Sequence, residues 1–330
     1  MGSENQETQY YCRGARSEDV PELVEVTQSA FGTQRTGDFA RSLEKRLETL
    51  EDNRIIVEKT SMGEKIIGSV PIFRYPLHFG PGITMQSGGL FMVAVRKEYQ
   101  RRGFGQKVIA DCNEYLKKQG CEINLLFTGS PDFYRHQGYE QGGGKPLFVL
   151  EKSNLVQLLN KDINQEESEN AKIITRNLEE KDLPIIASIY EKFNQKYPLT
   201  RIRTLEYWRH NFKINPNRFS EHIRVFMIEE LVVAYLWGHP SEEGFEVVEY
   251  AIQSNGTQDS YDLISKAVFR FLLAQIAMKS YGKINFHLFK SFPLVKMAIE
   301  EGARDSTGYW SALMVAILNQ IGRASCRERV

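Results

Sequence analysis

At 330 residues, 42% hydrophobic and 25% charged, the chain has the composition of an ordinary soluble protein with enough length for two domains. Its 42 Lys and Arg balance 42 Asp and Glu, so no overall positive field gathers nucleic acid or an anionic membrane surface. No apolar run reaches the roughly 18 residues of a membrane helix, and "MGSENQETQY" lacks the core of a signal peptide; a cytoplasmic protein with neither a membrane nor a nucleic-acid partner is expected.

In chain order, "RSEDVPELVEVTQSAF" from Arg16 carries Asp19 and Pro21 at the head of an apolar helical pattern, and proline is favoured there. Alternating apolar residues predict strands at Ile55–Val57, Lys65–Phe73 and Ile83–Val95, and a helix follows over Gly105–Gln119. Between the last two lies "VRKEYQRRGFGQKV". A strand ending at Val95, successive backbone amides over Gln100, Arg101, Arg102, Gly103, Phe104, Gly105 and Gln106, and a helix beginning there form an anion site. Amides and helix dipole point at the ligand, and glycine admits a close approach. A dinucleotide fingerprint is excluded, because the place of its third glycine is Val108. "GGGK" at Gly142–Lys145 is no Walker loop, since Tyr139 stands where the first glycine belongs and Pro146 follows the lysine. Next comes a strand in "GCEINLLFTGSPDF" and a short helix holding Tyr134, then Gly138 and Tyr139.

The polar stretch "NKDINQEESENAK" marks a linker within residues 156–172, after which the pattern repeats. "RNLEEKDLPIIASIYEKF" aligns Asp182 and Pro184 with Asp19 and Pro21, while "GKINFHLFKSFPLV" aligns Ile284, Asn285 and Pro293 with Ile123, Asn124 and Pro131. Strands at Ile223–Ile228, Leu231–Gly238 and Phe245–Ile252 and a helix at Tyr261–Tyr281 fill the interval. Two tandem α/β (α+β) domains are expected, at residues 1–155 and 173–319. Where the first copy has its glycine loop the second reads "QSNGTQDS", with no arginine and no second glycine, so it is expected to bind no anion of that kind.

"QRRGFG" has the Q/R-x-x-G-x-G/A form of the GNAT acetyltransferase superfamily, and "YRHQGY" its Tyr-x-x-x-Gly-aromatic element; the chain resembles that superfamily. The resemblance implies in each copy a mixed, mostly antiparallel sheet flanked by helices. It also implies acetyl-CoA with its pyrophosphate in the loop 100–106, and main-chain contacts from Met92, Val93 and Val95 to pantetheine. Tyr134 would protonate the departing thiolate, and a primary amine, on a small molecule or a lysine side chain, would accept the acetyl group. No metal is implied, and a homo-oligomer is compatible. "TGSPD" departs from the family in lacking the asparagine often found before the short helix. Tandem copies, one degenerate, are similar to the enhanced-intracellular-survival group, whose members continue into a third domain with a carboxyl terminus that serves as base.

Amine attack needs a proton acceptor, yet "ITMQSGGLFMVAV" contains no Asp, Glu or His. His78 and His136 are candidates, Glu98 sits in the phosphate loop, and Asp38 and Glu44 lie near the segment that shapes acceptor sites in the superfamily. The base is unassigned. The four cysteines, Cys12, Cys112, Cys121 and Cys326, have no metal-ligand spacing and read as reduced thiols. Ile321–Val330, "IGRASCRERV", match one reading frame of a sequencing-library adapter, with Gln320 consistent with the join. The natural chain is therefore expected to continue past residue 319, leaving the apolar "YWSALMVAIL" without its partner. The alternative to an enzyme is a non-catalytic acetyl-CoA-binding module, which needs the loop but not Tyr134.

Overall fold

A computed structural model describes residues 8–32, 47–144, 146–154, 173–253, 258–279, 281–307 and 312–319. The first half runs β1 (Gln9–Gly14), α1 (Val20–Phe31), β2 (Asn53–Thr60), β3 (Gly63–Gly80), β4 (Ile83–Leu90), β5 (Ala94–Val95), α2 (Phe104–Lys118), β6 (Ile123–Thr128), α3 (Pro131–Arg135) and β7 (Glu140–Gly144). It continues with β8 (Phe148–Glu151), β9 (Ile174–Asn177), α4 (Leu183–Asn194), β10 (Thr200–Arg201), α5 (Leu205–Ile214) and α6 (Pro216–His222). The remainder is β11 (Ile223–Ile228), β12 (Leu231–Pro240), β13 (Phe245–Ile252), α7 (Gln258–Lys279), β14 (Lys283–Phe286), α8 (Pro293–Glu300), β15 (Arg304–Asp305) and β16 (Ala312–Ile317).

These elements form two compact units. The first comprises Met1–Pro76, Met85–Gly143 and Ala312–Val330, the second Leu77–Thr84 and Gly144–Ser311. The first sheet has the order β1-β2-β3-β4-β6-β16-β7, with β5 also on β3. The second has the order β15-β8-β14-β13-β12-β11-β9. Among the described pairings each is mostly antiparallel with one parallel pair, β4 with β6 and β13 with β14, so the architecture is two tandem mixed α/β domains.

The sequence division at 155 and 173 departs from this arrangement in one respect. Phe148–Glu151 does not return to the sheet of its own half but pairs with Lys283–Phe286, while Ala312–Ile317 pairs with Thr128–Ile123 in the first sheet. The two halves thus exchange their last strands. Alternating apolar residues specify a strand, but the ladder that receives it is made by main-chain groups that carry no sequence label. β16 accordingly has partners in the first sheet: Ala312, Met314 and Ala316 are buried, though Ile317 is 70% exposed.

In the first unit α2 buries Phe104, Val108, Ile109, Cys112 and Leu116, a helical stripe that packs on Ile56, Ile67, Val70, Ile72 and Leu126. Across the sheet, Leu23 and Val26 of α1 pack with Ile55, Val57, Ile66 and Ala94. Both halves open on the same clasp. Arg13 grips Asp19 through two bonds of 2.6 and 2.9 Å, and Arg176 grips Asp182 through bonds of 2.6 and 2.8 Å. In each, the aspartate also accepts a main-chain amide, from Arg16 or Glu179, and proline stands at the start of the following helix. The repeat seen in the sequence is therefore physical.

Candidate active site

The expected strand Ile83–Val95 is broken. β4 runs parallel to β6 only from Ser87 opposite Ile123 to Gly89 opposite Leu125, and residues 91–93 leave the ladder. Met92 has φ 47°, a left-handed conformation uncommon outside glycine. The chain is tied on either side of it, by the Phe91 amide donating to the Pro71 carbonyl and the Arg96 amide donating to that of Ile67. The kink takes the main chain of Met92 and Val93 out of regular pairing where β4 and β6 end their ladder. Val95, by contrast, is still paired with Gly68.

From Val95 the chain makes one 3-10 turn, Lys97–Tyr99, and reaches the glycine loop. Gln100 donates its side-chain amide to the Val95 carbonyl. Arg101 has φ 60° and Gly103 φ 83°, two left-handed residues in the loop that leads into α2, and left-handed residues are a component of backbone turns that bind anions. Gly103 precedes α2 with open space where its Cβ would be, and the first turn of α2 carries no acidic residue. Arg101, Arg102 and Gly103 are exposed, Gly105 and Gln106 half-buried, and Phe104 is buried as the anchor. Arg102 stacks over Tyr99 and Phe104, 5.3 and 5.2 Å from their ring centres. Arg96 is engaged elsewhere, with Glu22 and Glu25 at 3.2 Å.

Beneath the loop sits a residue that the motif did not reveal. Glu58 on β2 accepts hydrogen bonds from the hydroxyls of Tyr99 (2.6 Å) and Tyr10 (2.8 Å). The Tyr99 hydroxyl is the main reason its carboxyl is held below the usual range, and the same bond pushes Tyr99 up to about 12. A carboxylate two strands back thus fixes the turn that presents the amides.

The second motif lands beside the first. A Cβ on Gly105 would stand 3.1 Å from Cζ of Phe133 and 3.8 Å from Val95, so α3 lies close against the head of α2 and a side chain at position 105 would press on the Phe133 ring. The next residue, Tyr134, is 8% exposed and packs edge-on against Phe133 and Tyr139 at 5.0 and 5.8 Å. Burial pushes its phenol up to about 12, against the effect of a hydrogen bond with Thr128. At neutral pH it keeps its proton, as a donor must. Tyr139, fully buried, donates to Asn113 (2.9 Å) and accepts from Asn124 (2.6 Å), and Gly138 makes the turn between the two tyrosines at φ 79°.

The candidate bases are dispersed. His78 is buried in the second unit, 3.1 Å from Glu191. His136 is exposed at the end of α3. Glu98 is exposed and 3.6 Å from Lys65. Asp38 and Glu44 lie outside the described residues, as do residues 254–257 of the degenerate loop and 320–330 of the expected adapter. Among the described residues no cluster of three His, Cys, Asp or Glu is placed to hold a metal ion, and no helix is long and apolar enough to cross a membrane.

The acetyltransferase (GNAT) domain family matches residues 12–142. That stretch is a GNAT acetyltransferase domain. With it the protein is an acyltransferase of the N-acetyltransferase type. A search among curated proteins finds no match. Among solved structures, a GCN5-related N-acetyltransferase from Kribbella flavida is similar at 14% identity and TM-score 0.69, over 96% of this chain and 72% of that one. Eis1 from Mycobacterium abscessus is similar at 13% identity and TM-score 0.60, over 94% and 74%. N-myristoyltransferase from Saccharomyces cerevisiae, solved with bound myristoyl-CoA, is similar at 10% identity and TM-score 0.57, over 96% and 80%. At these identities the likeness is one of fold, and it extends over both GNAT-like units.

Proposed function

We propose that the protein transfers the acetyl group of acetyl-CoA to a primary amine by direct attack, with Tyr134 as general acid. The observation that carries this reading is the contact between the two motifs, Phe133 against Gly105, which sets a buried, protonated tyrosine next to an amide-lined helix start. The loop fits a pyrophosphate: open at Gly103, free of acid in the first turn of α2, and flanked by Arg101 and Arg102.

In this reading the amides of residues 100–106 and the N-terminal end of α2 hold the phosphates, and the main chain at Met92, Val93 and Val95 aligns the pantetheine arm. A neutral amine attacks the thioester carbon, the carbon–sulfur bond breaks, and the Tyr134 hydroxyl gives its proton to the sulfur. The amine's own proton leaves to solvent or to a base outside the described residues. The second unit, whose counterpart of the loop lacks the arginines and the second glycine, takes no part in cofactor binding, and the setting is the cytoplasm. Release of free thiol from acetyl-CoA on addition of a primary amine tests the proposal. Binding of acetyl-CoA without release under any amine would leave only a binding module.

A further inference from the structure

We propose that the second unit carries a site for a phosphate group, free or as a small phosphomonoester, formed by Arg218, His222, Trp237 and His239. It stands independently of the acyl-transfer reading above. All four residues belong to the second unit and lie where α6 packs on β12. Arg218 and His222 are four residues apart, on one face of α6, and Trp237 and His239 share one face of β12. The two faces meet. The rings of His222 and His239 have centroids 5.4 Å apart, and Trp237 receives the Phe219 ring at 5.1 Å and the Arg218 guanidinium at 5.8 Å.

Two nitrogens of this cluster are buried with no hydrogen-bond partner among the described residues, Nδ1 of His222 and Nε1 of Trp237. An indole N–H can only donate, and buried donors in native proteins as a rule meet an acceptor, a water or an ion. The exposed Arg218 side chain lies over the indole and can swing out to admit an ion and close on it with its two-pronged donor. Helix rise and strand rise set the four positions about 6 to 7 Å apart along each element. An oxyanion that accepts at about 2.8 Å on two of its oxygens bridges such a gap. Donors arriving from both a helix and a strand suit a tetrahedral group better than a planar carboxylate. The charges favour a dianion. Burial, His239 and Arg218 all disfavour a proton on His222, while Glu221 works the other way. Glu246, across the ladder from His239, is occupied with Ser241, Asn285 and His287 at 2.8, 2.8 and 2.7 Å. A dianion entering beside His222 reverses the balance, so the imidazole takes up a proton as the ion binds.

The test uses sulfate, a tetrahedral dianion that does not itself titrate near neutrality, on the full chain without acetyl-CoA. Calorimetry in two buffers of different ionisation heat should show uptake of close to one proton per sulfate at pH 7. Affinity should be at least about fivefold tighter at pH 6.5 than at pH 7.5, because the bound state holds the extra proton. Inorganic phosphate and glycerol 3-phosphate should each displace sulfate, and the one that does so at lower concentration identifies the source of the phosphate group. His222→Gln should abolish the proton uptake. Arg218→Gln, at an exposed position, should weaken sulfate by at least about tenfold at both pH values while the uptake persists. Absence of saturable heat with millimolar sulfate and phosphate, equal affinity at the two pH values, or variants that bind as the unmodified chain does would overturn the site. The readout involves no thiol release, so its failure leaves the acyl-transfer reading standing, and failure of that reading leaves this one standing.

Discussion

Gly105 and Phe133 belong to different motifs, and they meet so closely that a methyl group on the glycine would stand 3.1 Å from the ring edge. The contact couples the phosphate loop to the helix that carries Tyr134. Gly105→Val should force the ring and α3 outward and cost about 1 to 3 kcal/mol of stability, the usual penalty for overpacking. Turnover should suffer more than acetyl-CoA affinity. Adding Phe133→Ala should restore part of both stability and turnover. A double variant no better than the single one in denaturant melts and rate assays would show that the contact does not couple the motifs.

Gly103 tests the loop directly. Its φ of 83° disfavours any side chain, and Gly103→Asp also brings a negative charge to amides assigned to pyrophosphate. With one charge-assisted contact worth about 1.5 to 3 kcal/mol, the dissociation constant for acetyl-CoA should rise by at least about tenfold. A rise below about threefold, read by calorimetry, would place the phosphates elsewhere.

The paired clasps predict a shared acid response. Burial works to raise the carboxyls of Asp19 and Asp182, but the hydrogen bonds from Arg13 and Arg176, with a main-chain amide each, outweigh it and hold both below the ordinary carboxylate range. Their stabilisation is therefore fully present above the unfolded value of about 3.9 and lost as pH falls through the folded value. Arg13→Ala and Arg176→Ala should each cost on the order of 3 kcal/mol at pH 7, and the deficit should shrink below about pH 4. Denaturant melts at pH 7 and pH 3 that show the same deficit would contradict the assignment.

The glycine loop was legible in the sequence because its chemistry is local: two glycines and a helix start within "RRGFGQ" dictate exposed amides wherever they fold. The repeat was visible for a similar reason, in aspartates and prolines that sit alike in both halves, but nothing in the sequence marked Arg13 and Arg176 as the partners of those aspartates. Phe133 against Gly105 was not, since a short helix after "TGSPD" says nothing of what it packs upon. Neither was the kink at Met92, where an apolar run from Ile83 to Val95 reads as one strand while the ladder changes partner inside it. The exchange of Phe148–Glu151 and Ala312–Ile317 stayed hidden because either segment has the alternation that either sheet accepts. Glu58, a lone acid amid charged neighbours, carried no signal that two tyrosine hydroxyls converge on it.

Burial also fixes the sign of a pH profile. A general acid works while it holds its proton, and Tyr134 is pushed from the ordinary value of a phenol up to about 12. Turnover at saturating amine should therefore show no descending limb between roughly pH 7 and 10, and should fall only as pH nears the tyrosine's raised value. A descending limb centred near pH 9 would mean that another group supplies the proton.

Tyr134→Phe, assayed for thiol release and for acetyl-CoA binding on the same preparation, tests the central claim most directly. The ring and its edge-on packing against Phe133 and Tyr139 are retained and only the hydroxyl is lost. Turnover should drop by roughly 10² or more, the scale of a missing general acid, with the dissociation constant for acetyl-CoA changed by less than about twofold. Unchanged turnover would make Tyr134 a packing residue and contradict the account.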